Sequence, residues 1–226
     1  MLITLDDVLT GDELADARSL LAECPWESGL ATAGPQAAEV KHNRQVPDDA
    51  PQLPALRRLV LSALARDPMF FAAALPLRIL PPFFNRHGGD ENHYGLHTDN
   101  AMRLAPDGSR IRSDVSATLF LSDPEDYDGG VLSIADTFGS HGVKLRAGSL
   151  VVYPSSSLHE VTPVTRGERL ACFLFAQSMV RDAGRRRMLY DMDMALLRLR
   201  QEAGESEPVV RLTGVYHNLL RAWAES

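Results

Sequence analysis

The sequence predicts a mainly β domain, a β-sandwich or barrel, carried between helices at both ends (an α+β chain). Three observations lead there. Between Leu77 and Gln177 short apolar stretches alternate with turn signals: Asp107-Gly108, Asp128-Gly129-Gly130, Arg146-Ala147-Gly148 and Arg166-Gly167-Glu168. The long helical crossovers that join parallel strands are missing between those stretches. Helical periodicity is confined to the two ends.

The chain opens on a short strand over residues 1–5. Thr10 then caps a helix, with Glu13 completing a capping box and Leu14, Ala17, Leu20 and Leu21 as its apolar stripe. Cys24-Pro25-Trp26 ends it. Residues 27–54 are rich in Ala, Gly, Pro and Asp and read as irregular, with a polar patch at Lys41-His42-Asn43-Arg44-Gln45. A second helix covers residues 53–66, with Leu56, Leu59, Val60 and Leu64 on one face. Asp67-Pro68 breaks it, and an apolar segment runs on to Leu75. Candidate strands follow at 77–84, 111–121, 130–134, 142–145, 149–153, 159–164 and 169–177. Beyond Met179 the period turns helical again. Met188, Leu189, Met192, Leu196, Leu197 and Leu199 mark one amphipathic helix, Val215, Leu219, Leu220 and Trp223 a last one, with residues 204–208 between them. Residues 1–178 are thus expected to form the domain proper. Residues 179–226 form a helical extension, packed on the core or at a homo-oligomer interface.

The 226 residues suffice for one well-buried domain with at most a small appendage. With 45% hydrophobic and 23% charged residues the composition is that of an ordinary globular protein. A net charge of -7 speaks against binding nucleic-acid backbones, which demand a basic footprint. The two cysteines, Cys24 and Cys172, sit far apart in unlike contexts and suggest neither a disulfide framework nor a thiolate metal site. The N-terminus shows no signal-peptide pattern, and no apolar stretch approaches the roughly 20 residues of a membrane span. A cytoplasmic, reducing location without membrane contact is the expectation.

The chemistry concentrates in Tyr94-Gly95-Leu96-His97-Thr98-Asp99-Asn100. Along a strand, positions i and i+2 share a face, so His97 and Asp99 can point inward together. His159, opening a later strand candidate, offers a third ligand. Two histidines and one carboxylate make the facial triad of non-haem iron(II) enzymes, which leaves half the octahedron open for a chelating cosubstrate and oxygen. The run 159–169, HEVTPVTRGER, reads as a hairpin that returns Arg169 to a strand beside His159. A buried guanidinium there needs an anion, and a dicarboxylate matches its planar fork. Tyr94 can add a hydroxyl to the same cosubstrate. His42, His87, His141 and His217 lack partners at ligand spacing, and His93 is not placed on the metal.

These residues carry a resemblance. Tyr94 to Ala101, Asp128-Gly129-Gly130 and the tail Tyr216-His217-Asn218-Leu219-Leu220-Arg221-Ala222-Trp223 resemble the bacterial PKHD-type hydroxylases, a prolyl/lysyl 4-hydroxylase-like group of Fe(II)/2-oxoglutarate-dependent dioxygenases. The likeness spans essentially the whole chain. It implies a double-stranded β-helix (jelly-roll, cupin-like) core, iron on His97, Asp99 and His159, and 2-oxoglutarate on Arg169. It also implies L-ascorbate as auxiliary reductant, and hydroxylation of an unidentified small-molecule, peptide or protein-residue substrate as 2-oxoglutarate becomes succinate and CO2. Residues 30–46 (with Lys41, His42, Asn43 and Arg44), residues 84–94 (with Asn85 and Arg86), and Asn100, Arg103 and Arg112 are candidates for lining the mouth. Three other readings stand beside this one: a non-haem iron oxygenase without 2-oxoglutarate, a noncatalytic cupin-like binding domain, and a scaffold with a vestigial site.

Overall fold

The computed structural model describes residues 1–32 and 35–225. The N-terminal part runs β1 (Ile3–Leu5), α1 (Gly11–Ala22), β2 (Glu27–Ser28), α2 (Pro35–Ala38), β3 (Lys41–His42), β4 (Arg44–Gln45), α3 (Leu53–Arg66) and α4 (Pro68–Ala74). Thr10 caps α1 as expected. Its hydroxyl accepts from the Glu13 N–H, and the Glu13 carboxylate accepts from the Thr10 N–H. Asp67 both ends α3 and caps α4, accepting from the N–H groups of Met69 and Phe70.

The β region continues with β5 (Pro76–Ile79), β6 (Phe83–His87), β7 (His93–His97), β8 (Met102–Leu104), β9 (Arg110–Arg112), β10 (Val115–Phe120) and β11 (Asp128–Gly129). It closes with β12 (Leu132–Asp136), β13 (Gly139–Val143), β14 (Leu150–Pro154), β15 (His159–Val161), β16 (Val164–Arg166) and β17 (Arg169–Ser178). Among the described residues these strands form an eight-stranded major sheet, β1-β14-β10-β17-β6-β4-β2 with β5 also on β17, and a five-stranded minor sheet, β13-β12-β15-β7-β3. All their pairings are antiparallel. The result is the double-stranded β-helix sandwich anticipated above.

The period of two sorts the major sheet into two faces. Val115, Ala117, Leu119, Leu150, Val152, Cys172 and Leu174 face outward into one core with Leu21, Leu56, Val60 and Phe70 of α1, α3 and α4. Phe120, Val151 and Tyr153 face the minor sheet and meet Leu132, Ile134, Val143 and Val161. Because both faces are covered, β10 is buried at every position, Ser116 and Thr118 included.

Several boundaries differ from expectation for local reasons. The candidate at 77–84 is two strands, since Pro81 and Pro82 cannot donate to a ladder. The candidate at 111–121 breaks at Ser113-Asp114, and the one at 159–164 breaks at Thr162-Pro163. The segment expected to be irregular holds β2, β3 and β4. They are two residues each, too short to show an alternation, and their side chains are polar. At the C-terminus α5 (Ala183–Ala203) and α6 (Glu207–Trp223) enclose Leu75, Val180, Leu189, Leu196 and Tyr216. Among the described residues, no helix is long and apolar enough to cross a membrane.

Candidate metal centre and anion pocket

Two strands of the minor sheet set the imidazoles. In the antiparallel pair β7–β15, His97 lies directly opposite His159, so both project from one face. Their ring centroids are 4.2 Å apart. Asp99 follows β7 in a loop, off the strand where i, i+2 alternation would have put it. It still reaches the pair: Oδ2 lies 3.7 Å from His159 Nε2. Among the described residues this trio forms a cluster with metal-binding geometry, its ligand atoms all within 4.8 Å of one another. His93, by contrast, pairs its ring with His42, 4.6 Å away.

Each imidazole is oriented from behind. His97 Nδ1 lies 2.8 Å from the Gly95 carbonyl, and His159 Nδ1 lies 3.0 Å from the Ser157 carbonyl. A carbonyl only accepts, so each Nδ1 carries the proton and each Nε2 presents its lone pair to the trio's centre. Tyr94 stacks on the His97 ring at 3.6 Å. Burial, with the facing His159, pushes His97 down to about 4, so it is neutral near pH 7. Asp99 is held at both oxygens: Oδ2 accepts from Ser116 Oγ at 2.6 Å, and Oδ1 faces Arg103 Nη2 at 3.4 Å. Ser116 Oγ in turn lies 2.7 Å from Ser155 Oγ. The sequence offered no signal for Ser116 or Ser155, since a serine in a strand or a turn has no distinctive spacing.

Arg169 overturns the hairpin expectation. It opens β17, which pairs with β10 and β6 in the major sheet, whereas β15 lies in the minor sheet. The segment between them, β16, pairs with β11 instead of turning tightly. Arg169 and His159 therefore approach one cleft from opposite sheets. Nor is Arg169 a surface residue. It is 1% exposed, with Cζ 5.1 Å from the Phe120 ring. Among the described residues its Nε and Nη2 are buried with no acceptor, and the Tyr127 hydroxyl lies beside it. Burial lowers the Arg169 pKa, opposed mainly by the nearby Tyr127 and Tyr153 hydroxyls. His87, opposite Arg169 in the β6–β17 register, is fully buried and held well below its ordinary value by burial and then by Arg169.

The glycines of Asp128-Gly129-Gly130 make this packing possible. At Gly130, with φ +61°, an added Cβ would lie 3.0 Å from Arg169 Cδ and 2.8 Å from Tyr127 Cε2. At Gly129, with φ +72°, it would lie 1.9 Å from the Pro163 carbonyl oxygen.

A cleft between the sheets joins these parts; Lys41, Asn85, Tyr94, Arg103, Tyr153 and Phe173 also line it. Burial, with Asp99 nearby, raises the Tyr94 pKa, so its hydroxyl remains a donor. Of the candidates for the mouth, Lys41, Asn85 and Arg103 reach the cleft. Arg44 pairs with Glu91, Arg86 with Glu168, and Arg112 with Asp114, away from it. Ala33 and Gly34 of the 30–46 segment lie outside the described residues.

Comparison with known proteins gives a consistent set. Residues 82–177 match the model of the 2OG-Fe(II) oxygenase superfamily, and residues 183–225 that of the PKHD-type hydroxylase C-terminal domain. The chain is 70% identical over 227 aligned residues to a PKHD-type hydroxylase of Azoarcus sp., and 68% identical to one of Nitrosomonas europaea, with 100% of each chain covered. Among solved structures it is similar in fold to a 2OG-Fe(II) oxygenase family oxidoreductase from Burkholderia pseudomallei (TM-score 0.54, 20% identity, 78% of this chain and 85% of that one). It is similar in the same way to a prolyl hydroxylase from Trichoplax adhaerens (TM-score 0.56, 15% identity, 83% and 86%).

Proposed function

The chain belongs to the PKHD-type hydroxylases of the 2OG-Fe(II) oxygenase superfamily, and we propose that His97, Asp99 and His159 hold its iron(II) while Arg169 and Tyr94 hold 2-oxoglutarate. The protein is an Fe(II)/2-oxoglutarate-dependent dioxygenase whose substrate is unidentified. The observation that carries the residue assignment is the pairing of a two-histidine, one-carboxylate cluster with a buried arginine in the same cleft whose Nε and Nη2 lack an acceptor among the described residues.

The donors suit the metal. Neutral imidazoles and a carboxylate are ligands that iron(II) accepts, and three of them leave positions open. The bare Nε and Nη2 of Arg169 suit the distal carboxylate of 2-oxoglutarate, because an isolated buried guanidinium is costly until an anion meets it. When bound, iron and 2-oxoglutarate supply the oxidation: oxygen is consumed, 2-oxoglutarate becomes succinate and CO2, and the substrate gains a hydroxyl. The chain's own residues orient and enclose. Gly95 and Ser157 carbonyls hold the imidazole tautomers, and Ser116 holds the carboxylate.

The auxiliary reductant in this reading is L-ascorbate. Residues 1–178 act as the dioxygenase domain and residues 179–226 as an extension packed on it. Exposed Met188, Val210 and Val215 on α5 and α6 support a homo-oligomer through that extension. Two free, buried cysteines and the need to keep iron reduced support a cytoplasmic location.

Anaerobic addition of iron(II) and then 2-oxoglutarate tests the assignment. The expected result is a weak visible charge-transfer band, lost in His97→Ala and needing more 2-oxoglutarate in Arg169→Ala. A folded wild type that retains no iron and shows no band refutes it.

A further inference from the structure

Asp99 sits in the loop after β7, with no strand ladder to fix its side chain. A carboxylate so placed can turn one oxygen or both toward a metal. The choice decides how many positions the metal keeps. Two imidazoles and one carboxylate oxygen leave half of an octahedron open, enough for a chelating 2-oxo acid and for oxygen. A second carboxylate oxygen on the metal would take one of those positions, and the 2-oxo acid would fill the rest.

Two side chains hold Asp99, and they treat its oxygens differently. Ser116 Oγ donates to Oδ2 at 2.6 Å, and Oδ2 is also the oxygen that lies 3.7 Å from His159 Nε2. A carboxylate oxygen has lone pairs for a hydroxyl and a metal together. Oδ1 instead faces Arg103 Nη2 at 3.4 Å, with the Arg103 side chain 15% and the Asp99 side chain 8% exposed. A guanidinium stays charged at any ordinary pH, so Oδ1 lies against a permanent cation. The pair is enclosed, and salt screens such a pair far less than one at the surface.

The fold fixes where that cation stands. Arg103 is the middle residue of β8, which pairs with β9 in a two-stranded hairpin and sets Arg103 opposite Ile111. Ala105 and Ile111 of this hairpin pack with Phe175 of β17. At its base the Ser113 N–H donates to the Ala101 carbonyl at 2.9 Å, close behind Asp99 in sequence. Arg103 Cζ then sits 3.4 Å over the Phe175 ring, a cation–π seat. The hairpin and the ring together present the guanidinium to Oδ1.

We propose that Arg103 is a positioning residue: by engaging Oδ1 it keeps Asp99 a one-oxygen ligand, and so keeps a position on the metal free for oxygen once 2-oxoglutarate is bound. The inference rests on the metal and 2-oxoglutarate reading above and deepens it at the same site.

Nitric oxide is the probe, because it takes the position oxygen would and gives an electron paramagnetic resonance signal with iron(II) without turnover. Wild-type protein, loaded anaerobically with iron(II) and saturating 2-oxoglutarate, is expected to give that signal. Arg103→Met keeps the stem and removes the cation. It should hold iron and show the charge-transfer band, while its 2-oxoglutarate complex binds nitric oxide about 10–100-fold more weakly. Arg103→Lys, which keeps a cation, should restore most of that affinity. Without 2-oxoglutarate the metal has positions to spare, so wild type and Arg103→Met should bind nitric oxide alike. Thermal melts of the metal-free variants check that they fold. If Arg103→Met holds no iron, Phe175→Leu, which removes the seat and leaves the charge, is read in the same way and should show a loss confined to the 2-oxoglutarate complex. Wild-type nitric oxide affinity in the variant's 2-oxoglutarate complex, or an equal loss with and without 2-oxoglutarate, overturns the inference. A wild type without the charge-transfer band instead refutes the metal centre, so the two failures are distinguishable.

Discussion

Replacing Arg169 by methionine should move cosubstrate affinity and ligand-free stability in opposite directions. The side chain is 1% exposed, and among the described residues its Nε and Nη2 meet no acceptor. Removing one member of a buried charge pair typically costs about 2–5 kcal/mol. The 2-oxoglutarate dissociation constant should therefore rise by about 30-fold to several thousandfold. In the ligand-free protein the same change deletes unpaired buried donors, worth about 1–3 kcal/mol each, and leaves an apolar chain of similar length against Phe120. Part of that gain is lost to altered packing around Gly130. A net stabilisation of about 1–3 kcal/mol would raise Tm by roughly 2–4 °C per kcal/mol in a chain of this size. Calorimetric titration of 2-oxoglutarate and a thermal melt of the metal-free variant read the two effects. Unchanged 2-oxoglutarate affinity, or a melting point several degrees lower, would show Arg169 to be a structural cation and refute the reasoning.

Other predictions concern the supports of the site. Ser116→Ala removes the 2.6 Å hydrogen bond to Asp99 Oδ2 and should weaken iron(II) binding about 10–100-fold while the melting point of the metal-free protein stays within a few degrees; unchanged iron affinity would deny Ser116 that role. Gly129→Ala meets the Pro163 carbonyl oxygen at 1.9 Å with φ +72° and should cost about 3 kcal/mol or more, read as a lower urea midpoint. A wild-type midpoint would mean the turn can rearrange freely. The pH dependence follows from His97 and His87, both held below the ordinary histidine value by burial. Their unfolded forms take up protons first, so the stability of the metal-free protein is complete above about pH 6.5 and is lost as pH falls toward 4. For His97 the loss is up to about 3 kcal/mol. Urea midpoints that stay flat from pH 6.5 to 4.5 would contradict this, and His97→Ala should reduce the slope.

Much of this protein could be read locally. Thr10 and Glu13 announced their capping box, and the 3.6-residue period located α3. The turn signals separated most strands, because Gly, Asp and Pro act on the backbone where they stand. His97, Asp99 and His159 were nameable as a ligand set because few residue types bind iron(II). The polar strands β3 and β4 were hidden, since alternation marks a strand only when one face is apolar, and these two-residue strands carry polar side chains throughout.

What the sequence determined by itself, then, is residue chemistry and short-range backbone preference. Which strand lies beside which was decided only by the tertiary structure. Arg169 stands ten residues from His159 in sequence, yet β17 and β15 belong to opposite sheets. Asp99 left its strand and still completed the trio, and Ser116 acquired meaning by arriving beside it. A strand's own sequence reports which side chains share a face. Its partners are chosen by the burial of both sheet faces at once, against α1, α3 and α4 on one side and the minor sheet on the other.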